Sequence, residues 1–434
     1  MASRSRTLLL ALMTLSCTPG GAPPPAEPAA AVRAPDLAAG LRIAERWRAP
    51  GLDDRRFDQE TLWRAIAPVL DGDALRVEEV GRSLEGRPIR AFAFGDGPTT
   101  VLLWSQMHGD ESTATMALAD ILRFLDGAEG DPLRERLRRT LTVTFVPMLN
   151  PDGAARFRRE NALGVDVNRD ARRLVTPEAR ALKGLRDSIR PDFGFNLHDQ
   201  GARTVAGPGG LQAAIALLAP AADADRSYGP VRSRARLLAA GTAAALATEI
   251  PGRVAKYDDS FNPRAFGDLM QQWGTSTVLV ESGALPGDPQ KQRLRALNAA
   301  AILAALDAIA TGAYERADPE AYERLPFNER VDYDLVVRGG RLVLGDAPYR
   351  ADVGLTYDDA VARTGPRLRD VGDLEGAAAL DTLDASGLFL HPARSMLDAT
   401  AGKHALRLDV PASIALRRGA EADAALVRTI GDGD

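Results

Sequence analysis

Cysteine is nearly absent from this chain: Cys17 is the single one in 434 residues. No intrachain disulfide can form, and no zinc–thiolate cluster can be assembled. Histidine is almost as scarce, with four in all. No block of basic residues breaks the charge pattern; 54 Lys and Arg are interspersed with 59 Asp and Glu, for a net charge of −5. That balance excludes a nucleic-acid footprint. The N-terminal apolar run, Leu8 to Leu15, is too short for a membrane span, which takes about 20 residues. What is present, at 45% hydrophobic content, suits a globular protein of one large or two ordinary domains.

The N-terminus reads as an export signal. Arg4 and Arg6 precede the apolar run, and Ser16-Cys17-Thr18-Pro19-Gly20-Gly21 follows it. A cysteine at that point resembles a bacterial lipoprotein signal, in which the cysteine is lipidated and becomes the mature N-terminus. Thr14 departs from that pattern, which has leucine there. The organisation expected is residues 1–17 as signal, 18–35 as a flexible Pro/Ala-rich tether, 36–328 as a catalytic domain and 329–434 as a small β-rich accessory domain. The protein is then exported, as a periplasmic or outer-membrane-anchored lipoprotein with a lipid anchor at Cys17, or else secreted.

Beyond Asp36, Leu37 to Trp47 and Phe57 to Leu70 show the three- and four-residue apolar spacing of helices. Strands are expected at 75–80, 89–94, 99–107, 141–149, 193–197 and 276–280, and helices at 112–125, 231–249 and 289–311. Strands alternating with long helices predict an α/β fold with a mixed, mostly parallel central sheet flanked by helices.

Polar residues sit at the ends of these strands. His108 follows Val101 to Trp104, Asn150 follows Val143 to Leu149, His198 follows Phe193-Gly194-Phe195, and Glu281 follows Val278-Leu279-Val280. Ligands of open α/β sheets bind at this carboxyl edge. His108 and Glu111, three residues apart, with His198 ninety residues downstream, match the His₂Glu set of catalytic zinc, which leaves a fourth position open. Glu281, at the end of an apolar strand, suits a general base. Arg169 can grip a carboxylate through its fork while Asn168 adds a hydrogen bond. Arg156, Arg158 and Arg159 are candidates to stabilise an oxyanion, with Arg156 and Arg158 read first as surface charges.

Met-His-Gly-Asp-Glu (107–111), Asn-Pro-Asp-Gly (150–153), Gly-Val-Asp-Val-Asn-Arg (164–169) and Thr-Val-Leu-Val-Glu-Ser (277–282), in this order, resemble the zinc carboxypeptidase family. The similarity begins near Val80 and runs to about Thr311. It implies one Zn²⁺ held by His108, Glu111 and His198, with Glu281 as general acid and base. It further implies that Asn168 and Arg169 bind the terminal carboxylate of a peptide, that Asp166 supports His108, and that Arg159, or Arg158 one register away, polarises the carbonyl. Tyr257 falls where the family has a substrate-capping tyrosine. The specificity position falls between Arg264 and Phe266; arginine there favours acidic C-terminal residues and phenylalanine smaller apolar ones.

The activity expected is hydrolysis of C-terminal peptide bonds on substrates with a free carboxylate. The alternatives are a zinc amidase or deacylase acting on cell-wall peptides or N-acyl amino acids, and a non-catalytic envelope binding protein on the same scaffold. Past Glu329, residues 333–345 read as a hairpin about Gly339-Gly340, with further strands at 351–355, 382–390 and 406–408. The stretch Leu383 to Pro392 is similar to the β-sandwich preceding the barrel of amidohydrolases, although the barrel and its His-x-His pair are missing. His391 and His404 are therefore read as structural or exposed.

Overall fold

The single helix expected over 57–70 is two helices. Helix α1 (Leu37–Arg46) is followed by α2 (Gln59–Ala65) and α3 (Ala67–Asp71). Pro68 makes the break, because it has no N–H to donate and its ring clashes with the preceding turn. Asp58 caps α2 by accepting from Thr61 N at 2.9 Å. This computed structural model describes residues 37–345, 347–398 and 405–431. The export signal, Cys17, the tether and His404 lie outside the described residues.

The chain then lays down β1 (Arg76–Arg82), β2 (Pro88–Phe94), β3 (Thr99–Ser105), α4 (Thr113–Gly127), α5 (Pro132–Thr140), β4 (Leu141–Val146), α6 (Pro151–Arg156), α7 (Pro177–Ile189) and β5 (Phe193–Asp199). Next come β6 (Thr204–Ala206), β7 (Ile215–Leu218), α8 (Pro230–Glu249), β8 (Val254–Lys256), α9 (Phe266–Gln272), β9 (Ser276–Ser282), α10 (Gln292–Thr311) and α11 (Pro319–Glu323). Helices α5, α6 and α7 begin alike: Asp131, Asn150 or Thr176 caps the free N–H groups, and proline follows.

Eight strands form one sheet in the order β1-β2-β4-β3-β5-β9-β7-β8. Pairing is parallel across β4, β3, β5 and β9 and between β7 and β8, and antiparallel at β1–β2, β2–β4 and β9–β7. The mixed, mostly parallel sheet read from the sequence is therefore present. Strand periodicity divides the core. Val101 and Leu103 pack with α1, α4, α8 and α10 on one face, whereas Leu102 and Trp104 pack with α7 and α9 on the other. The central strands β5 and β9 are buried on both faces, and His198 and Glu281 stand at their carboxyl ends. Helix α10 is long and apolar enough to cross a membrane, yet most of it is buried in this core.

From residue 328 the structure turns to strands. Strand β10 (Asn328–Arg330) pairs with β6. Two sheets follow, built from β11 (Tyr333–Arg338), β12 (Arg341–Leu342), β13 (Tyr349–Arg350), β14 (Asp352–Asp359), β15 (Thr364–Gly372), β16 (Ala379–Asp384), β17 (Phe389–Pro392), β18 (Ile414–Arg417) and β19 (Leu426–Ile430). Their orders are β15-β14-β11-β16 and β13-β12-β17-β18-β19. One apolar cluster, including Val337, Leu342, Val353, Leu368, Leu390 and Leu416, fills the space between them.

The hairpin expected at 333–345 does not form. Strands β11 and β12 belong to different sheets, and Gly339, at φ +73, turns the chain from one to the other. The strand expected over 382–390 is likewise split into β16 and β17, and Leu406 makes only an isolated bridge to Leu397. In each case apolar content marked β structure correctly while cross-sheet packing chose the partner. Arg203 of the first part pairs with Asp334 of this one at 3.0 Å.

Candidate metal centre

The loop after β3 is held in a demanding conformation. Gln106 adopts φ +51, and a Cβ on Gly109 would stand 2.0 Å from the carbonyl carbon of Gly153. Only glycine permits that approach. Asn150 fastens the same region: its Oδ1 accepts from Gly153 N at 2.9 Å, and its Nδ2 donates to Met107 O at 3.2 Å and Arg159 O at 3.4 Å. Asn150 thus sits behind the ligand loop and is not part of the cavity lining. His198 and Glu281 are register partners on β5 and β9, which sets them side by side.

His108, Glu111 and His198 converge, all three buried. His108 Nδ1 lies 2.8 Å from Glu111 Oε1, His198 Nδ1 lies 2.6 Å from Glu111 Oε2, and the two Nδ1 atoms are 3.1 Å apart. Their ligand atoms all fall within 4.8 Å of one another. Zinc bonds of about 2.0–2.2 Å separate tetrahedral ligand atoms by roughly 3.3–3.6 Å, so these donors stand slightly closer, drawn in by their own hydrogen bonds.

The electrostatics call for a cation here. Burial opposes a charged His108, but the Glu111 charge and the Asp166 hydrogen bond push it up to about 9. Burial works against the ionised form of Glu111 too, and the two imidazoles nonetheless hold its carboxyl well below the usual range. His198 is lowered by burial. The trio is stable with one positive charge shared among two nitrogens and a carboxylate. A divalent ion supplies that charge more fully, and the donor set fits zinc.

Asp166 stands where the sequence reading put it, accepting from His108 Nε2 at 3.0 Å. Arg159 bridges the site: Nη2 donates to Asp166 Oδ2 at 2.9 Å and Nη1 to Glu111 Oε1 at 3.2 Å. Arg158 is exposed and does not line the cavity, whereas Arg159 does. Arg156 is an exposed charge, paired with Glu85.

A cavity of about 780 Å³ opens over these donors, and Asn168, Arg169, Tyr257 and Glu281 all line it. Asn168 is fixed by accepting from Phe266 N at 2.9 Å. Arg169 is half-buried and reaches only Asn168 O, at 2.9 Å. Glu281 is 9% exposed, and among the described residues no group hydrogen-bonds to its carboxylate. Burial, then the Glu111 charge, raises its pKa well above the ordinary value. The Glu281 charge, then burial, pushes the Tyr257 phenol up to about 12, and both residues line the cavity.

The specificity position expected between Arg264 and Phe266 is corrected. Arg264 is exposed and turns back to Arg169 O, and Phe266 is fully buried in the core against Trp273; of the three residues in that interval only Ala265 lines the cavity, so neither an arginine nor a phenylalanine stands there. Asn196, Gln200, Asp268, Asn328 and Arg330 also line it, and none was singled out from sequence. Asn196 was within reach, since it precedes His198 by two on one strand and so shares its face. Asn328 and Arg330 had no local signal. His391 is structural, placed 3.0 Å from Gly419 O.

Residues 70–202 match the family model for zinc carboxypeptidases. Human carboxypeptidase D is 31% identical over 169 residues, which cover 28% of this chain and 12% of that protein. A zinc carboxypeptidase of Saccharothrix mutabilis subsp. capreolus is 31% identical over 134 residues, covering 26% of this chain and 31% of its own. An uncharacterized protein of Zymomonas mobilis is 28% identical over 148 residues, covering 33% and 38%. The chain thus spans well under half the length of the relatives it matches. The matched segment contains His108, Glu111, Arg159, Asp166, Asn168, Arg169 and His198, whereas Tyr257 and Glu281 lie beyond it.

Proposed function

From the match of residues 70–202 to the zinc carboxypeptidase family model, we propose a zinc-dependent carboxypeptidase that hydrolyses the C-terminal bond of peptides with a free carboxylate. One observation carries the reading: the His-Glu-His donors, an unpartnered Glu281 and a half-buried Arg169 line a single cavity. Zinc is the family's metal, held here by His108, Glu111 and His198, and when bound it acidifies water and polarises a carbonyl.

The protein's own groups supply the rest. Arg169 and Asn168 take the terminal carboxylate, which orients the last peptide bond over the donors. Arg159, kept in place by Asp166, presents its guanidinium where negative charge develops on the carbonyl oxygen. Glu281 accepts a proton from the attacking water and delivers it to the departing amine nitrogen. Water is thereby divided between a new carboxylate and a new amine, and Glu281 returns to its starting state. Tyr257, whose phenol keeps its proton at neutral pH, donates a hydrogen bond to the substrate. Asp166 anchors the far nitrogen of His108.

Metal analysis combined with hydrolysis of blocked dipeptides tests this reading. Glu281→Gln keeps zinc and loses about 10²–10⁴-fold in kcat, the usual contribution of a general base. If zinc binds while both proteins are equally inert across a peptide panel, the enzymatic reading fails and an envelope binding protein takes its place. The proposal also places the protein at the cell envelope through Cys17. Cys17→Ala should move it from the membrane to the soluble fraction, and unchanged fractionation would remove the anchor.

A further inference from the structure

Strand β10, which leads into the C-terminal sheets, also builds part of the cavity wall. It runs antiparallel to β6 with Arg330 opposite Thr204 and Asn328 opposite Ala206. Side chains alternate across a strand, so Asn328 and Arg330 share one face and Glu329 takes the other. The cavity lining agrees, for it includes Asn328, Arg330 and Thr204 and omits Glu329.

Two hydrogen-bond donors on this wall have no partner. Asn328 Nδ2 donates to Gln200 Oε1 at 2.9 Å, which fixes the amide of Gln200 with its nitrogen left over. That Nε2 is buried and unbonded, on a side chain only 9% exposed. It is closed off from the cavity and lies toward Gly283, so it braces the wall and does not meet a ligand. Arg330 is the second: among the described residues its guanidinium has neither a hydrogen bond nor an ion pair. The other arginines nearby are engaged, Arg203 by Asp334 and Arg159 by Asp166 and Glu111. Lys291 already neutralises Asp199 from behind.

Resting on the carboxypeptidase reading above, we infer that β10 forms an acyl-side subsite in which Arg330 pairs with a carboxylate on the residue preceding the scissile bond. With the terminal carboxylate taken by Asn168 and Arg169, the unpaired cation of β10 remains for the upstream residue. The planar guanidinium fork matches a carboxylate's two oxygens. The substrate class is therefore peptides with an acidic side chain immediately before their last residue, and the segment opening the C-terminal β region sets that preference.

Three blocked dipeptides with a common last residue and Glu, Gln or Lys before it provide the test on the zinc-loaded full chain. The wild type should favour Glu over Gln by about tenfold in kcat/KM, the scale of one charge-assisted contact. Arg330→Gln should erase that ratio, and Arg330→Glu should shift preference toward Lys. Calorimetric titration of Glu281→Gln with the same peptides should give the same order in Kd without turnover. Hydrolysis with equal Glu and Gln rates, or a ratio unchanged in Arg330→Gln, overturns the subsite and leaves the carboxypeptidase reading standing. No hydrolysis of any peptide by the zinc-loaded wild type overturns both.

Discussion

Lys291 offers the sharpest test of how the site is held together. Its side chain is buried, with Nζ 2.8 Å from Asp199 Oδ2 and 3.4 Å from Ser282 O. Asp199 Oδ2 also accepts from Thr113 Oγ1 at 2.6 Å, and Asp199 N donates to Glu111 Oε2 at 3.1 Å. This one pair therefore joins the end of β5, the end of β9 and the start of α4, the elements that carry His198, Glu281 and Glu111. Lys291→Met removes the cation and keeps the stem, leaving a carboxylate whose side chain is 9% exposed. Burial already pushes the Asp199 carboxyl up, with Lys291 the main opposing charge. Removing one partner of a buried pair costs about 3–5 kcal/mol, a large share of the roughly 5–15 kcal/mol that stabilises a domain.

Urea unfolding of the metal-free protein, followed by circular dichroism, should show that loss. Adding Asp199→Asn to Lys291→Met should restore most of it, because the stranded charge is gone. The expected coupling energy is about 2 kcal/mol or more, within the range seen for contacting groups. A loss below about 1 kcal/mol for Lys291→Met would refute the reasoning. So would a double variant as unstable as the two single effects added together, since the pair would then contribute nothing as a pair.

Asp166→Asn should weaken zinc binding about 10–100-fold in chelator competition by loosening the hold on His108 Nε2; an unchanged affinity means Asp166 does not support the ligand. Gly109→Ala sets a methyl 2.0 Å from backbone and should cost about 1–3 kcal/mol, as overpacking does, read as a lower melting temperature; an unshifted transition disproves the tight approach. Burial lifts the Asp268 carboxyl from 3.8 to about 6, so between these values the folded state binds more protons than the unfolded one. Stability must then fall as pH rises from about 4 to 6, by up to about 3 kcal/mol at 1.4 kcal/mol per unit. Asp268→Asn retains an acceptor for Asn262 N and should remove that slope; parallel pH–stability curves for the two proteins would count against it.

Much of the catalytic half was legible because its signals are local. The alternation of β3 and the uninterrupted burial of β5 and β9 both follow from short apolar runs, and those runs place His108, His198 and Glu281 at one sheet edge. Helix ends were less exact: Pro68 split one expected helix, and the strands β7 and β8 at one end of the sheet are too short to stand out. Around the site, Asp166 and Arg159 came from the family resemblance, and the structure set both against His108. At the expected specificity position Phe266 serves the core and Arg264 faces outward, which leaves Ala265 as the residue of that interval on the cavity wall.

By itself, the sequence determined the ligand types, their order and the sheet edge on which they lie, since strand periodicity and residue chemistry are properties of neighbours in the chain. Only the tertiary structure decided which strands of the C-terminal sheets pair, that Asn150 works behind the loop, and that Lys291 ties three elements together. It also brought Asn328 and Arg330, more than a hundred residues beyond His198, onto the cavity wall. Contacts across such separations depend on packing and register, which leave no periodic trace in the residues that make them.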